Sequence, residues 1–160
     1  MLIVGMLVLV MMSIMLVVFL DKAHDDFPED VTVSANGVTE KLLNVRNMTL
    51  LPTDKREYSV NFYCAASGLY DMEIDYIEKK DGGMKSHVNV SILFDGDIVY
   101  SGRLSELLDK ERDPIVKFDG QLHETKPMTV TFVYEMPGEV GNEAQGTWSD
   151  FDIRFTVSKS

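Results

Sequence analysis

The sequence predicts an all-β, antiparallel β-sandwich with one short helix, preceded by an N-terminal hydrophobic helix. Three observations predict it. Apolar and polar residues alternate with period 2 through most of residues 31–160. Gly-containing turn sequences separate the alternating runs. The first twenty residues, MLIVGMLVLVMMSIMLVVFL, contain no charged side chain.

That leader comes first in the chain. A run of about 20 apolar residues is long enough to cross the hydrocarbon core of a bilayer as a helix. A secretory signal peptide has a basic start, an apolar stretch of roughly 7–15 residues and a small-x-small cleavage site. No Lys or Arg precedes this run, and Ala23 with Asp21 makes a poor cleavage site. Residues 1–20 therefore read as a signal anchor, with a cleaved signal peptide as the alternative. The flank DKAHDDFPED has one Lys and five acids. Cytoplasmic flanks collect Lys and Arg, so residues 21 onward are expected outside the cell. Residues 21–30 read as an acidic spacer and 31–160 as a single domain. Five of the ten Met residues sit in the leader, where they are apolar filler.

Val31, Val33 and Ala35 begin a short strand, and Leu42 to Val45 are expected to pair near it. Tyr58, Val60, Phe62 and Cys64 form the apolar side of the next run, which places Cys64 in a hydrophobic face. Tyr70, Met72, Ile74 and Tyr76 alternate with Asp71, Glu73 and Asp75. Val88, Val90, Ile92 and Phe94 follow, and Asp95-Gly96 joins them to Ile98–Tyr100. Arg103–Lys110 reads as two helical turns with Leu104, Leu107 and Leu108 on one side, and Pro114 ends that region. Met128, Val130, Phe132, Tyr134 and Met136 make a further strand. Phe151, Ile153, Phe155 and Val157 alternate with Asp152, Arg154 and Thr156 in the last. Asn36-Gly37, Asp81-Gly82-Gly83 and Asp95-Gly96-Asp97 have hairpin-turn chemistry.

Charge excludes some functions. The net −11 belongs wholly to residues 21–160. Nucleic-acid binding needs a basic patch, and anionic lipid would be repelled in the same way. One cysteine, Cys64, allows neither an internal disulfide nor a Cys-based zinc site. The three histidines, His24, His87 and His123, form no HExxH pair, and no nucleophile elbow or phosphate-binding loop occurs. No catalytic, cofactor-binding or metal-ligating residue is therefore expected. Asp25-Asp26, Asp81 and Asp95/Asp97 carry the oxygen chemistry of calcium sites. They match no calcium-loop spacing, so they read as solvated turns. Asn47-Met-Thr49 and Asn89-Val-Ser91 fit the glycosylation pattern.

Two segments carry a family signature. One is Gly141-Asn142-Glu-Ala-Gln145-Gly146, running into Trp148–Val157. The other is Leu69–Ile74 preceded by Tyr58–Cys64 and followed later by Tyr100–Leu108. With the hydrophobic leader, this order resembles the TasA/camelysin family of Gram-positive bacteria over about residues 29–160. The family's usual Pro-Gly-Glu reads Pro52-Thr53-Asp54 here, and the leader lacks the family's basic residues.

The resemblance implies a jelly-roll sandwich exported to the cell surface as a non-enzymatic subunit of biofilm-matrix fibres. It implies polymerisation in which an N-terminal strand of one subunit completes the sheet of the next. The candidate donor strand here is Val31, Val33 and Ala35; pairing of that strand within its own domain is the alternative. The expected partners are other copies of the chain, other matrix or surface proteins, and the membrane through residues 1–20 if they are retained. No nucleic-acid partner is expected. Two other functions stay open: a monomeric membrane-anchored surface binding module, and a secreted metalloprotease of the camelysin type, for which the chain supplies no metal motif.

Overall fold

The computed structural model describes residues 30–109 and 116–160. Within them the chain is almost entirely β, in two sheets. The strands are β1 (Asp30–Val33), β2 (Val38–Met48), β3 (Lys55–Cys64), β4 (Gly68–Asp81), β5 (Asn89–Phe94), β6 (Asp97–Arg103), β7 (Val116–Leu122), β8 (Met128–Glu135) and β9 (Ser149–Lys159). A one-turn helix α1 (Leu104–Leu107) follows β6. Sheet A has the order β1-β3-β8-β5-β6 and sheet B the order β2-β9-β4-β7. Every pairing is antiparallel except β1 with β3, which is parallel.

Side-chain alternation produces the layering directly, because successive Cβ atoms point to opposite faces of a strand. Tyr70, Met72, Ile74 and Tyr76 on β4, and Phe151, Ile153, Phe155 and Val157 on β9, all turn inward and are buried. Val130, Phe132 and Tyr134 of β8 and Val60, Phe62 and Cys64 of β3 face them from sheet A. The seam between the sheets is aromatic. Ring centroids across the seam are 4.9 Å apart for Phe62–Phe155, 5.8 Å for Phe132–Phe155, 5.9 Å for Tyr134–Phe151 and 6.4 Å for Tyr76–Phe132. Pairs at such distances contribute about 0.5–1.5 kcal/mol each beyond their area burial. The Tyr76 and Tyr134 hydroxyls meet across the seam at 2.9 Å, so neither buried oxygen lacks a partner.

The connections differ from the pattern expected of hairpins. Only Asp95-Gly96 joins neighbouring strands, β5 and β6, with φ of 46° and 94° at the two turn residues. Positive φ at both positions gives a turn whose twist matches a two-residue hairpin. Asn36-Gly37 and Asp81-Gly82-Gly83 instead carry the chain from one sheet to the other. Leu42–Val45 likewise does not pair near β1; it lies on β2, which runs against β9 in the opposite sheet. Alternation fixes which face of a strand is buried but carries no information on its neighbour. The helix is one turn rather than two: Arg103 is still strand, though Leu104, Leu107 and Leu108 are buried as their spacing requires. Pro114, the hydrophobic leader and residues 21–29 of the spacer lie outside the described residues. Among the described residues no helix is long and apolar enough to cross a membrane.

Asp152 departs from the outward, solvated position that alternation assigns it. It is on the outer face of sheet B yet only 2% exposed. Arg46 reaches one carboxylate oxygen at 2.7 Å and Lys79 the other at 3.0 Å, so two long side chains from the flanking strands close over it. Gly82 is set by a close approach: a Cβ there would run into the Trp148 indole, and Gly82 N–H donates to the Trp148 carbonyl at 2.7 Å. Thr53 has φ of 76° in a turn where Asp54 N–H donates to Leu51 O at 2.8 Å. Pro52 thus occupies the second position of a type II turn and Thr53 the third, which favours glycine.

A β-branched residue held in that region carries about 1–3 kcal/mol of strain. Part of it is offset in the Thr53→Gly variant by the extra freedom of the unfolded chain. That variant is expected to be stabilised by about 1 kcal/mol in urea denaturation; an unchanged or lowered midpoint would contradict the strain. Stability is also expected to fall in alkali. Burial raises the Tyr76 phenol well above its ordinary range, outweighing the opposite pull of its bond to Tyr134. The unfolded phenol ionises near pH ~10 while the folded one stays protonated, so stability drops above that pH by up to about 1.4 kcal/mol per pH unit. Lys85, raised by its hydrogen bond to Glu78, loses its contribution in the same direction as pH climbs through its folded pKa. Urea denaturation at pH 8 and 11 measures the sum, and equal stabilities would contradict it.

Candidate functional site

The β1 edge is where the sandwich is least complete. β1 spans four residues, paired in register Asp30 with Asn61, Val31 with Phe62, Thr32 with Tyr63 and Val33 with Cys64. Val31 and Val33 point inward, 5% and 0% exposed. Ala35, the third candidate donor residue, lies beyond the strand in the turn and is half-buried. Local bonds end the strand there. Ser34 N–H donates to Thr39 Oγ1 at 2.9 Å, Ser34 Oγ donates to Asn36 O at 2.8 Å, and Gly37 takes φ of 91°.

Magnitudes show how lightly this strand is held. Burying two valines contributes about 3–6 kcal/mol. Fixing four backbone residues costs about 4–8 kcal/mol. A few ladder hydrogen bonds at about 1 kcal/mol each bring the sum close to zero. The side bond from Asn61 Nδ2 to Asp30 Oδ1, 3.2 Å and exposed, adds little. Strands with so small a margin open without the rest of the fold.

The neighbouring edge is open. β8 pairs with Lys55–Phe62 of β3 on one side. On the other side β1 covers Asn61–Cys64, and Lys55–Val60 have no strand partner among the described residues. Lys55, Arg56 and Glu57 are exposed along it. Charge placed on an edge strand discourages uncontrolled pairing. The 3.7 Å Lys55–Glu57 ion pair is fully at the surface and contributes little to stability. Alternation does not mark this open edge; the run of charge at the start of β3 is the sequence signal that could have done so.

Cys64 lies beside β1 in the same sheet. It is a free thiol, buried, opposite Val33 in the ladder. The Tyr70 phenol nearby is raised by burial, with Cys64 and Glu124 adding to the shift. Its hydroxyl donates to Ala66 O at 2.6 Å.

The Gly141–Gly146 segment is elsewhere. Gly141, Asn142, Gln145 and Gly146 form a self-bonded turn around the 3-10 helix Asn142–Ala144. Gln145 Nε2 donates to Asn142 Oδ1 at 2.9 Å, Gln145 N–H to Asn142 O at 3.0 Å, and Thr147 Oγ1 to Ala144 O at 2.7 Å. Gly146, with φ of 74°, then releases the chain toward Trp148 and β9. Since Met48 pairs with Ser149 and Val38 with Ser158, this turn and the β1–β2 turn lie at opposite ends of the sandwich. The two sets of singled-out residues are therefore not brought together, and the turn's geometry is that of a rigid lead-in to β9.

The acidic turns are committed locally. Asp95 Oδ1 accepts the Thr129 N–H at 2.8 Å and Asp81 Oδ1 the Lys85 N–H at 3.3 Å. Asp97 begins β6 and is exposed. Among the described residues no three His, Cys, Asp or Glu side chains converge as metal ligands. His24, Asp25 and Asp26 lie outside the described residues.

Because Cys64 is buried next to Val33 at the β1 edge, its thiol is expected to report the strand's release. Val33→Asp is expected to speed Cys64 labelling by a maleimide about tenfold or more while the β circular-dichroism signal persists. Labelling as slow as in the parent chain would mean that β1 does not control access to this site. No protein-family model matches this chain, and no curated protein matches it.

Proposed function

We propose that this chain is a non-enzymatic extracellular structural protein, a subunit of biofilm-matrix or cell-surface fibres that assembles by β-strand complementation. The observation that carries the reading is β1, a four-residue, parallel, marginally held edge strand beside an uncovered stretch of β3. The resemblance of residues 29–160 to the TasA/camelysin family supports the same reading. So does the strand order: from β2 onward the chain changes sheet at each step except β5 to β6, the winding of a jelly roll.

The physics of exchange is simple. If β1 leaves its own Phe62–Cys64 edge and enters that of another copy, the same ladder and the same packing form again. Such swapping therefore has a small free-energy difference and is driven by concentration. Main-chain hydrogen bonds supply the affinity, and the Val31 and Val33 side chains fill the pockets. The apolar leader supplies export, as a signal peptide or as an anchor. If it is removed, β1 is close to a free chain end; if it is retained, the subunit is tethered and forms the base of a fibre.

A second reading, a monomeric membrane-anchored surface module, is favoured by one observation: β1 is seated in its own sheet with Val33 fully buried. The two readings separate by electron microscopy of the chain from residue 24 onward. Fibres that form on standing and disappear when residues 24–37 are removed support complementation. A chain that stays monomeric at high concentration contradicts it. Assembly of subunits with net charge −11 is opposed by self-repulsion, so fibre formation is expected to accelerate at lower pH and when salt shortens the Debye length from ~30 Å to ~8 Å. Rates indifferent to both would contradict the electrostatic part of the account.

A further inference from the structure

The connection between β1 and β2 holds the chain's one Asn-Gly pair, Asn36-Gly37. It links the marginal edge strand of sheet A to the first strand of sheet B. Both residues are exposed. Gly37 takes φ of 91°, and a Cβ placed there would meet no atom within 4 Å. Among the described residues no backbone hydrogen bond closes residues 34–37, and none reaches the Asn36 side chain or the Gly37 N–H.

The chain's other asparagines are placed differently. The side-chain oxygens of Asn44, Asn61 and Asn142 are engaged, by Arg46 at 3.0 Å, Thr129 Oγ1 at 2.9 Å and Gln145 Nε2 at 2.9 Å. Asn47 and Asn89 are followed by Met48 and Val90, which lie in strand ladders with buried side chains. Only at Asn36 do a free side-chain amide and an unhindered following nitrogen occur together.

We propose that Asn36-Gly37 is a self-modifying site that converts to isoaspartate and thereby loosens β1. The Gly37 nitrogen attacks Cγ of Asn36. An N–Cγ bond forms, the Cγ–Nδ2 bond breaks, and Nδ2 leaves as ammonia with the proton that the Gly37 nitrogen gives up. Water then opens the five-membered imide. Opening at Cγ gives aspartate. Opening at the main-chain carbonyl gives isoaspartate, in which the chain runs through Cβ and Cγ. The balance is amide plus water to acid plus ammonia, with nothing oxidised or reduced. Glycine at the second position permits the attack, because no Cβ obstructs its nitrogen.

The place of this link gives the reaction its consequence, which rests on the proposed exchange of β1. In isoaspartate the Asn36 carbonyl that accepts Ser34 Oγ at 2.8 Å becomes a free carboxylate, and the main chain gains one carbon. The same connection holds Ser34 N–H on Thr39 Oγ1 at 2.9 Å, a tie from the end of β1 to β2. Both ties sit just after Val33, the last residue of β1. A strand seated by two valines opens more often when such ties are lost. Aspartate adds the charge without the longer chain, so the two products differ in what they do to the strand.

The test ages the full-length chain in detergent, in warm and mildly alkaline buffer, beside Asn36→Gln, whose longer side chain closes the ring far more slowly. Peptide mass spectrometry is expected to find the amide-to-acid mass shift at Asn36 before any other asparagine. Isoaspartate methyltransferase is expected to methylate that peptide. Maleimide labelling of Cys64 is then expected to be about threefold faster or more in the aged parent than in fresh protein, with aged Asn36→Gln unchanged. Fresh Asn36→Asp is expected to label at the parent rate. An Asn36 peptide that keeps its amide, or loses it no sooner than the others, overturns the site. Equal labelling of the aged parent and aged Asn36→Gln overturns the link to β1, as does fresh Asn36→Asp labelling as fast as the aged parent. Modification with faster labelling but without fibres supports the site and counts against the fibre reading alone.

Discussion

The fold depends on the aromatic seam between the sheets. Phe62, Phe132 and Tyr134 from sheet A lie against Tyr76, Phe151 and Phe155 from sheet B, with centroids 4.9–6.4 Å apart. The Tyr76 and Tyr134 hydroxyls satisfy each other within that layer. These side chains lie on β3, β4, β8 and β9, so the seam fastens four long strands at once. Everything attached outside it can be held loosely. β1 at one edge adds only Val31 and Val33 to the central layer, and the fold tolerates a marginal strand because its stability resides elsewhere.

That division gives the proposed function a physical basis. A subunit that exchanges a strand needs a core that survives the exchange and an edge that does not resist it. The core of four strands supplies the first. β1, with two buried valines set against the ordering of four residues, supplies the second. The distribution of charge then sets how copies approach. The net charge of −11 opposes close approach of two subunits, so exchange of β1 is favoured where that repulsion is screened.

Much of the fold is legible in the sequence, for a simple reason. A half-buried strand writes its inner face into every second residue, so the inward sets on β3, β4, β5, β8 and β9, with Cys64 among them, can be read one by one. Partners cannot. Nothing in Leu42–Val45 distinguishes a neighbour of β1 from a neighbour of β9, and Asn36-Gly37 has the same turn chemistry whether it closes a hairpin or crosses between sheets. Asp152 escapes the alternation rule because its burial is made by Arg46 and Lys79, which are distant in sequence. For the candidate site, Val31 and Val33 are identifiable as an alternating strand, but Ala35 is not separable from it. The open edge of β3 arises only when strands are placed side by side. The Thr53 strain is half visible, since the Pro52-Thr53-Asp54 departure marks the position where glycine would relieve it.

Native-state hydrogen exchange, followed residue by residue, tests most directly whether β1 is an exchangeable edge on a stable core. The account predicts that β1 amides, and the β3 amides they cover at Asn61–Cys64, exchange through a local opening. Its free energy should lie several kcal/mol below that of β8 and β9. If β1 amides exchanged only through global unfolding, at the same free energy as Phe132 and Phe155, the strand would be an integral part of the core and the exchange mechanism would fail.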